Sequence, residues 1–291
     1  MTKLTVMVGV PGSGKSTFIR NNKKDGDFVI SSDNIRDELF GDICCQDDNG
    51  KVFQIVYKRM VEALRFGRDV WLDATNINRK CRRVMFEKLK QAKLEVSVYA
   101  MVMGTRIEEC IRRDAERDRT VGEEVIWKFV RRFEYPQKFE GFDEVFHQTE
   151  VGDYSEKVRK DLNRMVGFDQ KNPWHKLDLW GHTQRVVEQV PEQMKLAAFC
   201  HDIGKLFTQV MEDGVAHYYR HENVSAYYFA CYWAELIEES SFKGDFDFTM
   251  FLVNYHMLGH QIKENSRFRD VFGSLYDDLI TFCKADSMAK S

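Results

Sequence analysis

The sequence predicts an α/β domain, a parallel sheet flanked by helices, followed by an all-α domain. Three observations predict it. Residues 3–9 (KLTVMVG) make an apolar strand that runs into the glycine-rich loop GVPGSGKS (9–16) and then a helical stretch over 15–22. Strand-like and helical runs then alternate to about residue 133, a pattern that right-handed crossovers turn into a parallel sheet covered on both faces. From Ser155 onward every segment reads as helix.

Further strands are predicted at 28–31 (FVIS), 69–74 (DVWLDA) and 95–103 (EVSVYAMVM), whose β-branched and aromatic residues suit strands buried on both faces. Apolar residues at helical spacing predict helices at 34–40, 52–67, 79–92, 106–118 and 122–133. After Pro136 and the 141–146 run the pattern changes, with helices predicted at 155–166, 175–190, 192–211, 221–240, 247–258 and 267–287, and loops at 169–173 and 212–215. The expected domains are 1–152 and 153–291, without repeats or low-complexity tracts.

Composition narrows the class. With 291 residues, 43% of them apolar, and 43 basic against 46 acidic side chains, disorder and collagen-like repetition are excluded. No window approaches the ~18 apolar residues of a membrane span, and the first residues lack a signal peptide. Seven cysteines, an odd number without a Cys-x-x-Cys pair, favour neither a disulfide framework nor a zinc finger, so the expectation is a cytoplasmic protein with no membrane partner. Residues 1–150 carry 27 basic and 25 acidic side chains and residues 151–291 carry 16 and 21, while only His147 of eight histidines precedes residue 151. Two chemistries on one chain are implied, the second metal-dependent.

In the glycine-rich loop, Gly9, Gly12 and Gly14 let backbone N–H groups curl round an anion, and Gly12, Ser13, Gly14, Lys15, Ser16 and Thr17 form the nucleotide cradle. Lys15 would reach the β- and γ-phosphates of ATP or another NTP, and Ser16 would ligate Mg²⁺. SSDNIR (31–36) follows the second strand and puts Asp33 and Arg36 at the carboxyl edge of the sheet. Asp33 could take a proton from an attacking hydroxyl and Arg36 could hold a phosphate of the acceptor; Asp33 could equally cap helix 34–40. Between 79 and 132 there are fifteen Lys or Arg against nine Asp or Glu. Arg113 and Arg117, four apart on one predicted helix face, could close over the nucleotide, whereas Lys88, Lys90 and Lys93 read as a solvated face.

GVPGSGKST (9–17), SSDNIRDELFG (31–41), WLDATNINRKCRR (71–83) and MGTRIEECIRRDAERDR (103–119) together resemble the phage-type polynucleotide 5′-hydroxyl kinases. The resemblance implies that Lys15 and Ser16 serve the phosphate donor, Asp33 is the general base, Arg36 grips the phosphate beside the acceptor's 5′ end, Asp73 supports the site and Arg113 with Arg117 form the lid. Where that family's lid reads Arg-Asn, this chain has Arg113-Asp114.

In the second half, His182 lies on one predicted helix and His201-Asp202 inside an apolar one, where a charge is costly unless it binds something. Asp286 follows on another helix, so one cation could collect His182, His201, Asp202 and Asp286 in the middle of a bundle, although any histidine alone reads better as structural. The ordered set His182, His201-Asp202 and Asp286 resembles the H…HD…D signature of the HD phosphohydrolases, with a texture similar to the HD modules of CCA-adding tRNA nucleotidyltransferases. That resemblance implies a second metal on His221 and His256 with Asp202 bridging, and Lys205 offsetting charge on a bound phosphate. Manganese, nickel, cobalt and iron all suit such a site. Asp245-Phe-Asp247-Phe-Thr249 matches the D-x-D-x-T pattern of haloacid-dehalogenase phosphatases, but only 42 residues follow it and it reads instead as a helix cap.

The combined expectation is a bifunctional RNA end-healing enzyme. It phosphorylates 5′-OH ends with ATP and removes 2′,3′-cyclic, 2′- or 3′-phosphates, its partners being nucleic-acid ends, RNA rather than DNA, with a separate RNA ligase acting downstream. Known fusions of these modules place the HD module first; here the order is reversed. Two alternatives use the same residues: a small-molecule or nucleoside kinase fused to an HD nucleotide phosphohydrolase, and an ATP-driven switch that only binds nucleotide.

Overall fold

A computed structural model describes residues 1–41, 48–117, 120–173, 176–262 and 266–290. Cys44, Cys45, Asp118, Arg119 and His175 lie outside the described residues. The chain divides into two compact units, one of residues 1–129 and 136–150, the other of 130–135 and 151–291.

The first unit is built on a five-stranded parallel sheet in the order β2-β3-β1-β4-β5, formed by β1 (Lys3–Val8), β2 (Phe28–Ser31), β3 (Val70–Asp73), β4 (Ser97–Gly104) and β5 (Glu144–Thr149). Leu4 pairs with Val70 and Val98, and Val6 with Leu72 and Ala100, all of them buried. Crossovers pass through α1 (Lys15–Asn22), α2 (Ser32–Phe40), α3 (Asn49–Arg65), α4 (Arg79–Gln91), α5 (Ile107–Ala115) and α6 (Glu123–Val130). Edge strand β5 was not expected from the sequence: it alternates exposed and half-buried residues over EVFHQT and so has no continuous apolar run.

Among the described residues of this unit, Arg82 is a fully buried charge. Arg82 shares the inward face of α4 with Met85 and Leu89, donates from Nε and Nη2 to Glu140 at 2.8 and 2.7 Å, and donates from Nη1 to the Asn76 carbonyl at 3.0 Å. It therefore braces the chain just beyond β3. Removing one partner of such a pair strands the other, so Arg82→Ala should cost about 3–5 kcal/mol of stability in urea unfolding, while the double variant Arg82→Met with Glu140→Leu recovers most of it.

The second unit is mainly helical: α7 (Ser155–Met165), α8 (Leu179–Gln189), α9 (Lys195–Cys200), α10 (His221–Ser240), α11 (Phe246–Ile262), α12 (Ser266–Phe272) and α13 (Leu275–Met288). It is not all-α. The helix expected over 192–211 is instead a 3₁₀ turn (Glu192–Met194), α9, a second 3₁₀ turn (Ile203–Phe207) and strand β6 (Gln209–Glu212), which pairs antiparallel with β7 (Val215–Tyr218). Asp213 and Gly214 join the strands at φ of 49° and 81°, so the Asp-Gly pair read as a loop is a two-residue hairpin turn. Residues 130–135 are tied into this unit: the Tyr135 N–H donates to Asn254 Oδ1 at 2.8 Å, and Asn223 Nδ2 donates to the Arg131 carbonyl at 3.0 Å.

Candidate active sites

In the first unit, β1 delivers the glycine-rich loop to the carboxyl edge of the sheet. Gly12 and Gly14 take φ of 81° and 88°, and a Cβ at Gly12 would stand 2.3 Å from the Cys110 carbonyl oxygen, so only glycine lets α5 back the loop this closely. Thr105 Oγ1 secures the loop by donating to the Ser13 carbonyl at 2.9 Å, and Ser13 is buried. Lys15 Nζ donates to the carbonyls of Gly9 and Val10 at 3.1 and 2.9 Å. Burial lowers the Lys15 pKa, with the Asp73 carboxylate acting in the opposite sense. Ser16 Oγ donates to Asp73 Oδ2 at 2.7 Å, and Thr17 Oγ1 accepts from Arg20 at 3.1 Å on the exposed side of α1.

Ser31 stands opposite Asp73 in the β2–β3 register, which brings Asp33 and Arg36 to the same edge. The cap of α2 is Ser31, whose hydroxyl accepts from the Asn34 N–H at 3.3 Å. Asp33 is thus spared for another role: its side chain is 65% exposed and lies 2.6 Å from Arg36 Nη1. Arg36 is otherwise buried and donates to Asn49 Oδ1 at 2.8 Å. A hydroxyl oxygen approaching the loop along this edge would meet a carboxylate and a guanidinium side by side.

The two lid arginines do not share a helix face. α5 ends at Ala115, because the buried Asp114 carboxylate accepts the Val121 and Gly122 N–H groups at 2.9 Å each and turns the chain, leaving Arg117 beyond the helix. Arg113 Nε donates to Glu109 at 2.6 Å and its Nη2 to Glu150 at 2.7 Å, and Glu150 also accepts from Arg106 Nε at 3.1 Å. The guanidiniums of Arg112 and Arg113 hold the Glu109 carboxyl down at about 2. Sequence reading missed Glu150, which lies just after the unrecognised β5, and Arg82, which its spacing with Met85 and Leu89 could have placed on the buried face.

In the second unit, five elements send side chains to one buried point. His182 comes from α8, His201 and Asp202 from the end of α9, His221 from the first turn of α10, His256 from α11 and Asp286 from α13. His201-Asp202 follows a helix rather than lying within one. Gly204 explains the approach: a Cβ there would sit 2.2 Å from the His221 carbonyl, and its N–H donates to Ser225 Oγ at 2.9 Å, so the turn presses directly against the start of α10.

The donors form two trios, His182–His201–Asp286 and Asp202–His221–His256, with the ligand-capable atoms of each within 4.8 Å of one another. Asp202 faces both: Oδ2 lies 3.4 and 3.3 Å from Nε2 of His182 and His201, and Oδ1 lies 3.1 and 3.9 Å from Nε2 of His221 and His256. His182 Nε2 is 3.0 Å from Asp286 Oδ1, and Lys205 Nζ is 2.7 Å from Asp202 Oδ2 and 3.0 Å from Gln170 Oε1. The Nδ1 atoms of His201, His221 and His256 lie 2.7–2.8 Å from the carbonyls of Ala198, Tyr218 and Val253, and His182 Nδ1 lies 3.4 Å from that of Ala289. With the proton at Nδ1 a neutral imidazole turns its Nε2 lone pair inward; Nε2 of His221 and of His256 lie 3.1 Å apart, and buried His201 Nε2 makes no hydrogen bond. Two carboxylates and four oriented imidazoles fit divalent transition metals. His260, not singled out from the sequence, adds an outer partner by placing Nε2 2.6 Å from Asp286 Oδ2.

Charge in the cage is uneven. Burial lowers the His182 pKa, but hydrogen bonds and attraction from Asp202 and Asp286 outweigh it and carry the imidazole to about 9. His256 is held well below the usual range by burial and then by His221 and His201, so it is a neutral donor near pH 7. Because His182 is raised above its unfolded value, its contribution to the metal-free fold is complete below about pH 6.5 and is lost as pH rises through about 9. A metal bound there would have to displace that proton, so metal affinity should climb as pH rises toward about 9, and calorimetry in buffers of different ionisation enthalpy should show proton release at pH 7.

Asp245, the first residue of the D-x-D-x-T match, caps α11 through its carboxylate, which accepts the Phe248 N–H at 2.8 Å, and Thr249 is buried within that helix. No described helix is long and apolar enough to cross a membrane. Cys200 and Cys283 are buried free thiols.

Comparison with known proteins bears on the first unit. Residues 4–136 match the family model for an AAA domain. The curated relative "Transcription factor bHLH140" of Arabidopsis thaliana is 28% identical over 153 residues, 49% of this chain and 15% of its own length. Among solved structures, a chain of the Pnkp1/Rnl/Hen1 RNA repair complex is 24% identical, with 44% of this chain and 42% of that chain covered at a TM-score of 0.40. The Mycobacterium tuberculosis APS kinase CysC, solved with AMPPNP and APS, is 17% identical, with 56% and 96% covered at a TM-score of 0.38. The chain thus spans about a seventh of the length of the curated relative and 42% of that of the RNA repair chain. The first unit has a parallel five-stranded sheet with a phosphate loop between its first strand and first helix, an arrangement that cradles a nucleotide phosphate.

Proposed function

We propose that the chain heals broken RNA ends, phosphorylating 5′-hydroxyls in its first unit and removing 2′,3′-cyclic, 2′- or 3′-phosphates in its second, an HD phosphohydrolase. The observation that carries the reading is Asp202, a buried carboxylate with one oxygen turned to each of two donor sets. That arrangement suits a two-metal phosphate centre far better than a structural core.

In the kinase site, Lys15 would offset charge on the β- and γ-phosphates, and Ser16 with Asp73, paired at 2.7 Å, would hold Mg²⁺. Arg36 grips the phosphate next to the acceptor's end, and Asp33 takes the 5′-hydroxyl proton as its oxygen attacks the γ-phosphorus and the β–γ bridge breaks. Arg113 and Arg117 supply positive charge from the loop side. In the second unit His182, His201 and Asp286 would hold one transition metal and His221 with His256 another, Asp202 bridging. Bound there, the metals supply Lewis acidity and an acidified water. Lys205 keeps Asp202 ionised and oriented.

A 2′,3′-cyclic phosphate forms only where a 2′-hydroxyl exists, which makes RNA the substrate that needs both units. Its products, a 5′-phosphate and a free 3′-hydroxyl, are what a separate RNA ligase consumes. The test incubates the protein with Mg²⁺ and γ-labelled ATP on matched RNA and DNA 5′-OH ends, then with Mn²⁺ on a 2′,3′-cyclic phosphate end. Label on RNA 5′ ends and loss of the terminal phosphate are expected. Phosphorylation of nucleosides or other small molecules alone would favour the small-molecule kinase reading, and label remaining on ATP would overturn the kinase assignment.

A further inference from the structure

On the flank of α4 the first unit has a cavity of about 200 Å³ lined by Arg79, Arg83, Phe86, Lys90, Phe139 and the paired acids Glu87 and Glu140. Its rings are fixed in place. Phe86 packs edge-on against Phe142 with centroids 4.9 Å apart, and the Arg79 guanidinium covers Phe139 at 5.2 Å. Its lining is basic on balance: Arg79, Arg83 and Lys90 stand against Glu87 and Glu140, and Glu140 is already neutralised from behind by Arg82. The volume is below the ~300–1,000 Å³ of a whole small-molecule site, so it takes one ring of a larger molecule whose remainder stays in solvent.

The cavity is also coupled to the kinase site by the chain itself. Arg79 is six residues beyond Asp73, no more than about 21 Å of extended backbone, and Arg82 joins the cavity floor at Glu140 to the Asn76 carbonyl between them. An aromatic slot rimmed by arginine and lysine is the recognition chemistry of unpaired bases strung on phosphates.

We infer that this cavity is a subsite for single-stranded polynucleotide, holding one unstacked base against Phe86 and Phe139 while Arg79, Arg83 and Lys90 meet the flanking phosphates. The inference rests on the nucleic-acid reading of the first unit. It assigns Lys90, expected from sequence to be plain solvated charge, to substrate binding.

The test measures fluorescence anisotropy of a labelled 12-nucleotide single strand with the full chain, wild type against Arg83→Glu with Lys90→Glu, both residues being on the exposed side of α4. Binding should weaken about tenfold or more, and the slope of log affinity against log salt should fall by about one to two. In the same samples the KM for ATP should stay unchanged. Equal affinity of wild type and variant, no binding by wild type, or an equal loss on blunt duplex would each overturn the subsite. Label transfer from ATP, followed in parallel, separates the two claims: a wild type that binds strand through these residues without phosphorylating it keeps the subsite and loses the kinase.

Discussion

Asp202→Asn should abolish release of 2′- and 3′-terminal phosphate while leaving 5′ phosphorylation at its wild-type rate. Asparagine keeps the volume and one acceptor, but it can no longer present an anionic oxygen to each of the two donor sets that Asp202 faces at 3.1–3.4 Å. Outer partners of metal ligands typically cost 10–100-fold in affinity when lost, so the shared carboxylate itself should cost more than about 100-fold. Metal content by plasma emission spectrometry and phosphate release on a cyclic-phosphate end are the two readouts. The buried Lys205, 2.7 Å from Asp202, would lose its counter-charge, so thermal unfolding must accompany the assay. Normal metal content with normal hydrolysis in a folded variant would sink the two-metal reading.

Asp33→Ala should do the reverse, lowering kcat for 5′ phosphorylation by roughly 10²–10⁴ through loss of the general base. The KM for ATP should hold, since Asp33 pairs with Arg36 and is largely exposed rather than forming part of the phosphate loop. Stability should hold as well, because Ser31 and not Asp33 caps α2. Phosphate release by the second unit should be unaffected. A variant with wild-type kcat would remove Asp33 from the chemistry, and one losing both activities while folded would rule out independent sites.

The first unit was largely legible in sequence because its parts are local. A strand, a glycine-rich loop and a helix within 3–22 dictate an anion site by backbone geometry alone, and the runs at 28–31, 69–74 and 95–103 each keep apolar residues together. Strand β5 escaped because exposed and half-buried residues alternate along EVFHQT, whereas the other edge strand, β2, keeps the apolar run FVI. The helix expected over 192–211 failed where Gly204 and the Asp213–Gly214 turn let the chain bend against α10, a close approach that helical periodicity cannot register. Arg113 and Arg117 looked like an i, i+4 pair only while Asp114 was assumed to continue the helix rather than bind the Val121 and Gly122 amides.

Local spacing therefore decided the phosphate loop and four of the five sheet strands, since each depends on residues within a few turns of one another, while the histidine and aspartate donors were named by the order of a signature spread over a hundred residues. Packing alone decided that donors more than a hundred positions apart, His182 and Asp286, lie 3.0 Å from each other, and that Asp202 splits its two oxygens between opposite trios. It likewise decided that Glu150 restrains Arg106 and Arg113, and that a fully buried Arg82 braces Asn76. The physical reason is common to all of these. A charged group can be taken out of water only where distant segments converge to supply its partners, and that convergence is a property of the folded chain.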